Sequence, residues 1–149
     1  MDINLTQAEA DALIKMEKHV SDSSELWEYP DHGGSISVPL QSPDKREQFL
    51  LDIYRGRIDL LKGSFQNRGR QAIVLVRLDF GGAPHRNPDG REIACPHLHI
   101  YKENYGDKWA TTVPANFSSN EKDIMDLLDS FMTYCNITVR PLINRGLFT

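Results

Sequence analysis

The sequence predicts an α+β domain: a curved antiparallel sheet of five or six strands, a partly barrel-like meander, flanked by an N-terminal and a C-terminal helix. Three observations predict it. A helix-start signature opens the chain, alternating apolar stretches separated by turn residues fill its middle, and an amphipathic stripe at helical spacing closes it. The loops are short, so neighbouring strands should pair as hairpins. No repeat, low-complexity tract or linker interrupts the pattern, so residues 1–149 read as a single domain.

Thr6 followed by Glu9 has the spacing of a capping box, and Leu13, Met16 and Val20 continue at helical spacing until the polar stretch at 21–24. Residues 35–41 place Ile36, Val38 and Leu40 on alternate positions, and Pro39 points to an edge strand. Residues 47–54 alternate again through Phe49, Leu51 and Ile53, and residues 57–65 form a weaker strand pattern. Residues 71–80 are apolar at nearly every position through Ile73, Val74, Leu75, Val76 and Leu78, as expected of a strand covered on both faces. Residues 96–101 and 107–113 complete the strands, with Trp109 assigned to the core. Ser118 and Glu121 repeat the capping-box spacing, and Ile124, Leu127, Leu128, Phe131 and Cys135 form one helical stripe. The predicted core is Phe49, Leu51, Ile53, Val74, Val76, Leu98, Ile100, Leu127, Leu128 and Phe131.

Composition narrows the function classes. At 149 residues and 40% hydrophobic, the chain can bury one sizeable core. Its apolar runs, such as residues 72–76, are far short of the roughly 20 residues of a membrane span. The opening residues lack the basic start and apolar stretch of a secretory leader. Cys95 and Cys135 are too few for a disulfide framework and read as buried thiols of a cytoplasmic protein. No glycine-rich dinucleotide motif, phosphate loop or nucleophile elbow is present. The net charge of −4 hides an asymmetry: residues 55–91 carry eight basic groups against three acids, and the remainder nine against eighteen. Seven of those eight are arginine, whose planar fork suits phosphate or carboxylate. Either an anion site or a solvated face of ion pairs produces such a stretch.

Three of the five histidines, His85, His97 and His99, fall within fifteen positions. In a strand at 96–101, Leu98 and Ile100 face the core, while His97, His99 and Tyr101 form a row roughly 7 Å apart on the other face. Parity along 71–80 puts Arg77 and Asp79 on one face with Ile73 and Leu75, and pairing of the two strands would set Arg77 or Asp79 opposite the histidine row. Asn87-Pro88-Asp89-Gly90 is a turn signal that returns His85 and Arg86 toward that row. Gly106-Asp107 is another turn, after which Lys108 can face the histidines.

The segments Arg55-Gly56-Arg57, Arg77-Leu78-Asp79, His85-Arg86-Asn87-Pro88-Asp89-Gly90, Pro96-His97-Leu98-His99-Ile100-Tyr101 and Gly106-Asp107-Lys108-Trp109 resemble a family of small uncharacterised bacterial proteins over about residues 35 to 135. The resemblance implies common descent and carries no activity. Small families of this kind often sit in mobile or defence-related loci.

Three chemical readings follow. In the first, the protein binds RNA, or another polyanion, and is a metal-independent endoribonuclease of toxin or defence type needing no cofactor. Histidine titrates near neutrality, so two of His85, His97 and His99 would serve as base and acid, with Tyr101 and Lys108 beside them. Arg77 and Arg86 would hold the phosphate, and Arg55, Arg57, Arg68 and Arg70 would track the backbone. In the second, a non-catalytic inhibitor from a phage or mobile element binds a host nucleic-acid machine through an acidic partner, such as an antitoxin or a defence-complex subunit. In the third, His97 and His99 chelate a metal with His85 or Asp79 as third ligand. His97, His99 and Glu103 match the opening of the cupin pattern, but its downstream histidine segment is missing, and nearby arginines oppose a dication.

Overall fold

The computed structural model describes residues 4–58, 62–117 and 123–144. In chain order its elements are α1 (Gln7–Lys15), β1 (Lys18–Val20), β2 (Leu26–Glu28), β3 (Ser35–Gln41), β4 (Gln48–Arg55), β5 (Gly63–Gly69), β6 (Ile73–Phe80), β7 (His85–Arg86), β8 (Glu92–Ile93), β9 (His97–Ile100), β10 (Ala110–Thr112), α2 (Ile124–Tyr134), β11 (Ile137–Val139) and β12 (Leu142–Asn144). Eight strands form one open sheet in the order β10–β9–β6–β5–β4–β3–β1–β11, antiparallel throughout except between β1 and β11. Two small two-stranded sheets, β12–β2 and β7–β8, lie outside it.

The α+β class and the central meander match the sequence reading, but the sheet has eight strands rather than five or six and does not close into a barrel. The additional strands of the large sheet are β1 and β11, each only three residues long and so too short to show an alternation. The first helix does carry the Thr6–Glu9 capping box but ends at Lys15, and residues 18–20, expected to continue it, form β1. The strand expected at 57–65 starts only at Gly63. Gly63 sits so close to the Tyr54 carbonyl that a Cβ would collide with it, so no other residue fits there. Pro39 lies inside the sheet, not at an edge. Its carbonyl accepts from Ser21 N on the side where β1 ends, so the amide hydrogen that proline lacks has no strand to meet. The capping box expected at Ser118 and Glu121 lies outside the described residues; the cap observed on α2 is Asp123, whose carboxylate accepts from Met125 N and Asp126 N.

One core collects Leu13 of α1, Leu40 of β3, Leu51 and Ile53 of β4, Leu98 of β9, and Leu127, Leu128 and Phe131 of α2. Of the predicted core residues, Ile100 is only half-buried and Val74 is half-buried outside the core cluster. For Val74 the cause is a β-bulge. Asn67 and Arg68 of β5 face Val76 and Val74 of β6, which leaves Leu75 as an extra residue. Ile73 and Leu75 point into the core before it, and Val76, Leu78 and Phe80 after it. Trp109 is likewise outside the core: it is half-buried, with Tyr105 edge-on at 5.8 Å and the Lys102 ammonium 4.2 Å above its ring.

Lys18 is fully buried. Its ammonium donates to the carbonyls of Ile14 (2.9 Å), Met16 (2.9 Å) and Cys135 (2.7 Å), so one cation closes the carbonyl ends of both helices. Burial pulls its pKa down to about 8, against a smaller upward pull from the Cys135 thiol. Because the unfolded lysine, at 10.5, holds its proton more tightly, native stability attributable to Lys18 is least below about 8 and grows as pH rises toward 10.5. We predict that Lys18→Met is destabilised at neutral pH, having stranded three carbonyls. The gap in unfolding free energy between wild type and variant should widen as pH passes through about 8. Chemical denaturation at a series of pH values measures this, and a pH-independent gap would refute it.

Candidate functional site

The bulge decides what lies beside the histidines. It parts residues expected to share a face: Ile73 and Leu75 turn into the core, while Arg77 and Asp79 lie on the outer face beside the histidine row, where the sequence reading set them. Antiparallel pairing then sets Arg77 opposite His99 and Asp79 opposite His97, while Leu78 and Leu98 pair on the core side. On the outer face, Asp79 Oδ2 lies 3.3 Å from Nε2 of His97 and 3.3 Å from Nε2 of His99. One ligand atom from each of these three residues falls within 4.8 Å of the others.

The β6–β9 connection is itself a hairpin, β7–β8, turned by residues 87–90. Gly90 N bonds Asn87 O at 2.8 Å, and Gly90 takes a φ of +87°, which glycine accepts without strain. The hairpin lays the His85 ring over the site, 4.5 Å from His99 and 5.9 Å from His97 between ring centroids. Beneath it His97 and His99 are 2% and 0% exposed.

Each histidine spends one ring nitrogen on the backbone or its immediate surroundings. His99 Nδ1 donates to Asp107 O at 2.7 Å, and His85 Nε2 donates to Lys108 O at 2.7 Å. His97 Nδ1 faces the Cys95 sulfur at 3.5 Å, and the Ala94 backbone also supports this ring. The Nε2 atoms of His97 and His99 are thereby directed at Asp79. Arg77 crosses the group: it donates to Asp79 (3.1 Å), Asp107 (2.6 Å) and His99 Nε2 (3.1 Å). Burial works to raise the Asp79 pKa, but hydrogen bonding to His99 and the Arg77 charge overcome it and hold the carboxyl at about 2. Burial also lowers the His97 pKa, only partly offset by the Asp79 charge, which favours the neutral ring.

The structure brings together His85, His97, His99, Arg77 and Asp79 and disperses the other predicted site residues. Tyr101 leaves the row: its hydroxyl accepts from Leu5 N (2.7 Å) and donates to Leu5 O (2.9 Å), tying the N-terminal segment to the sheet. Lys108 offers its carbonyl to His85 while its side chain is exposed. Glu103 turns to α1, accepting from Gln7 N at 2.8 Å, so the cupin-like spacing ends in a helix contact. Arg68 forms a fork on Asp52 at 2.6 and 2.9 Å. Arg70 meets Glu9 and Glu47 at 3.8 and 3.5 Å, and Arg86 meets Glu92 at 3.3 Å. Arg55 bonds Pro30 O and His32, and Arg57 lies beside Gly33, both at the far end of β4. Cys95 is half-buried in the wall of a cavity rather than enclosed.

A family of unknown function, DUF6978, matches residues 5–137. The chain belongs to this family. The match takes in α1 and β1, beyond the resemblance read at 35 to 135. No curated protein and no solved structure matches the chain, and no helix among the described residues is long and apolar enough to cross a membrane.

Two functional contributors in this DUF6978 chain escaped the sequence reading because both sit in turn signals. Asp107 supplies the backbone acceptor for His99 and a carboxylate for Arg77. Asn87 is buried, and its amide brackets Ala110: Nδ2 donates to Ala110 O (2.9 Å) and Oδ1 accepts from Ala110 N (2.8 Å). Its side chain thus acts as a strand partner for the sheet edge and pins the hairpin over the site. Asn87→Ala should cost about 1–3 kcal/mol, two buried backbone groups losing their partner. Asn87→Asp, which keeps the acceptor and loses the donor, should fall between. Urea unfolding of the three proteins tests the order; an Asn87→Ala variant as stable as wild type would show that the hairpin is held by other contacts.

Proposed function

We propose that this protein binds a divalent transition-metal ion of the zinc type through Asp79, His97 and His99. One observation carries the reading. Asp79 Oδ2 stands 3.3 Å from Nε2 of both histidines. Ligand atoms about 2.0–2.1 Å from a tetrahedral ion stand about 3.3–3.4 Å from one another, the spacing of both Asp79–histidine edges; the three ligand atoms together lie within 4.8 Å, so the two imidazoles close toward each other as the ion binds. The other nitrogen of His99 is held on a carbonyl, which is how a ligating imidazole is oriented. Two histidines and one carboxylate leave a fourth position for water, and in such sites the ion activates that water for hydrolysis.

The surroundings accept a dication. Arg77 looked in the sequence like a repelling charge, but it sits between the carboxylates of Asp79 and Asp107, and on metal binding it would give up its hydrogen bond to His99 Nε2 while keeping both carboxylates. Two carboxylates, Asp79 and Asp107, face the one guanidinium of Arg77. The remaining arginines of the basic stretch lie elsewhere, several of them on carboxylates.

The metal-independent ribonuclease reading keeps one supporting observation, the approach of His85 to His99 beside Arg77. It requires a ribose hydroxyl and a leaving oxygen to reach nitrogens of rings that are 2% and 0% exposed. An RNA-binding or inhibitory role resting on Arg68, Arg70, Arg77 and Arg86 would draw on side chains that are already on carboxylates.

Metal-free protein titrated with Zn(II) by calorimetry, and with Co(II) by visible absorption, should bind one equivalent. Asp79→Asn, His97→Asn and His99→Asn should each weaken binding by more than the ~10–100-fold typical of an outer-shell change. Absence of stoichiometric binding by folded wild-type protein would sink the proposal. Labelled RNA incubated with and without chelator then separates the alternatives: chelator-insensitive cleavage favours histidine acid–base chemistry, and inertness favours a recognition protein.

A further inference from the structure

A cavity of about 230 Å³ borders the site and is lined by Tyr54, Lys62, Ser64, Asp79, Gly82 and Cys95, among others. The sheet register explains its polar wall. Tyr54 pairs with Ser64, Ser64 with Asp79, and Asp79 with His97, so one row across β4, β5, β6 and β9 leads from two hydroxyls to the ligand set. Gly82 also lines the cavity. A Cβ added there would stand 3.7 Å from Lys62 Cε and 3.9 Å from Cys95 Sγ, so the lysine stem and the thiol flank it. Unlike Arg68, Arg70, Arg77 and Arg86, Lys62 meets no carboxylate among the described residues.

We infer that this cavity holds the phosphate group of a small phosphate ester, with Lys62 as counter-charge and the Tyr54 and Ser64 hydroxyls as donors. The inference rests on the metal reading above. An anion has no reason to enter beside the bare Asp79 carboxylate. A dication on Asp79, His97 and His99 reverses that sign, so the cavity then has a cation at each end. Its size favours a headgroup: sites for drug-sized ligands run to ~300–1,000 Å³, and this one is smaller. The rest of the ester would extend outside the cavity. Hydroxyls and an ammonium suit tetrahedral oxyanion contacts, whereas a wholly apolar ligand would leave the row of polar groups unpaired.

The test uses the full chain, metal-free and zinc-loaded, titrated with inorganic phosphate and with phenyl phosphate by calorimetry and ³¹P NMR. Zinc-loaded wild type should bind both, and metal-free protein neither. Lys62→Gln should weaken phosphate binding by roughly tenfold or more, the weight of one charge-assisted contact. Gly82→Val should abolish it by filling the cavity; the surrounding contacts are of ordinary van der Waals length and Gly82 does not occupy the left-handed region, so the fold should tolerate it. Both variants should keep wild-type zinc affinity, which also reports that they are folded. Failure of wild type to bind zinc overturns the metal reading. Zinc binding with phosphate affinity absent, or unchanged in both variants, overturns the cavity inference alone. Equal phosphate binding by the metal-free protein overturns the link between the two.

Discussion

The site depends on one extra residue in β6. A strand has a fixed period of two, and a single insertion moves everything after it to the opposite face. Without the bulge at Leu75, the parity that buries Ile73 and Leu75 would also carry Arg77 and Asp79 into the core, and Leu78 and Phe80 would lie on the outer face. With it, β6 contributes apolar residues to the core along its whole length and still presents a carboxylate and a guanidinium to β9. Leu75 keeps a backbone partner on the other side, since its carbonyl accepts from Tyr101 N at 2.8 Å. The irregularity is therefore held by strands on both flanks.

Other polar groups fix the frame around that strand. Lys18 joins the carbonyl ends of α1 and α2, and Tyr101 holds the chain just before α1 through both backbone groups of Leu5. On the outer face a second register row runs Ser37, Asp52, Gln66, Arg77, His99. Asp52 accepts from Ser37 (2.6 Å), Gln66 (2.7 Å) and Arg68, so its carboxylate is fully occupied in structure. Asp79, one row along, is supported by Arg77 but keeps its Oδ2 atom aimed at two imidazole nitrogens. The contrast between these two acids on one sheet face separates a structural carboxylate from a candidate ligand.

Much of the meander was legible because long strands advertise their period. Residues 35–41 were read to the residue, and the alternation through Phe49, Leu51 and Ile53 placed β4 correctly. Adjacency of two strands and a turn set Arg77 or Asp79 opposite the histidine row, and the register does so. The core placement of Ile73 and Leu75, expected on that same outer face, did not follow. A bulge inside an all-apolar run leaves no break in the pattern, since Ile73, Val74, Leu75, Val76 and Leu78 read the same with or without it. Short strands such as β1 failed for a different reason. Lys18 looks like the polar end of a helix until its tertiary partners show that it is buried. Asn87 and Asp107 were correctly read as turn residues, and that local reading hid the second task each performs through contacts distant in sequence.

The charge asymmetry shows how far a sum over sequence is from a field in space. Residues 55–91 carry a clear basic excess, yet β-sheet register places the chain's acids against it: Asp52 on Arg68, Glu47 and Glu9 near Arg70, Glu92 on Arg86. These acids come mostly from outside the basic stretch, so the imbalance within it is cancelled across strands. At the histidines the cancellation goes further, since Arg77 meets two carboxylates. A stretch that reads as an anion surface thus folds so that two carboxylates meet the one guanidinium beside the histidines. That excess of carboxylate is what favours the divalent cation proposed above over an RNA backbone.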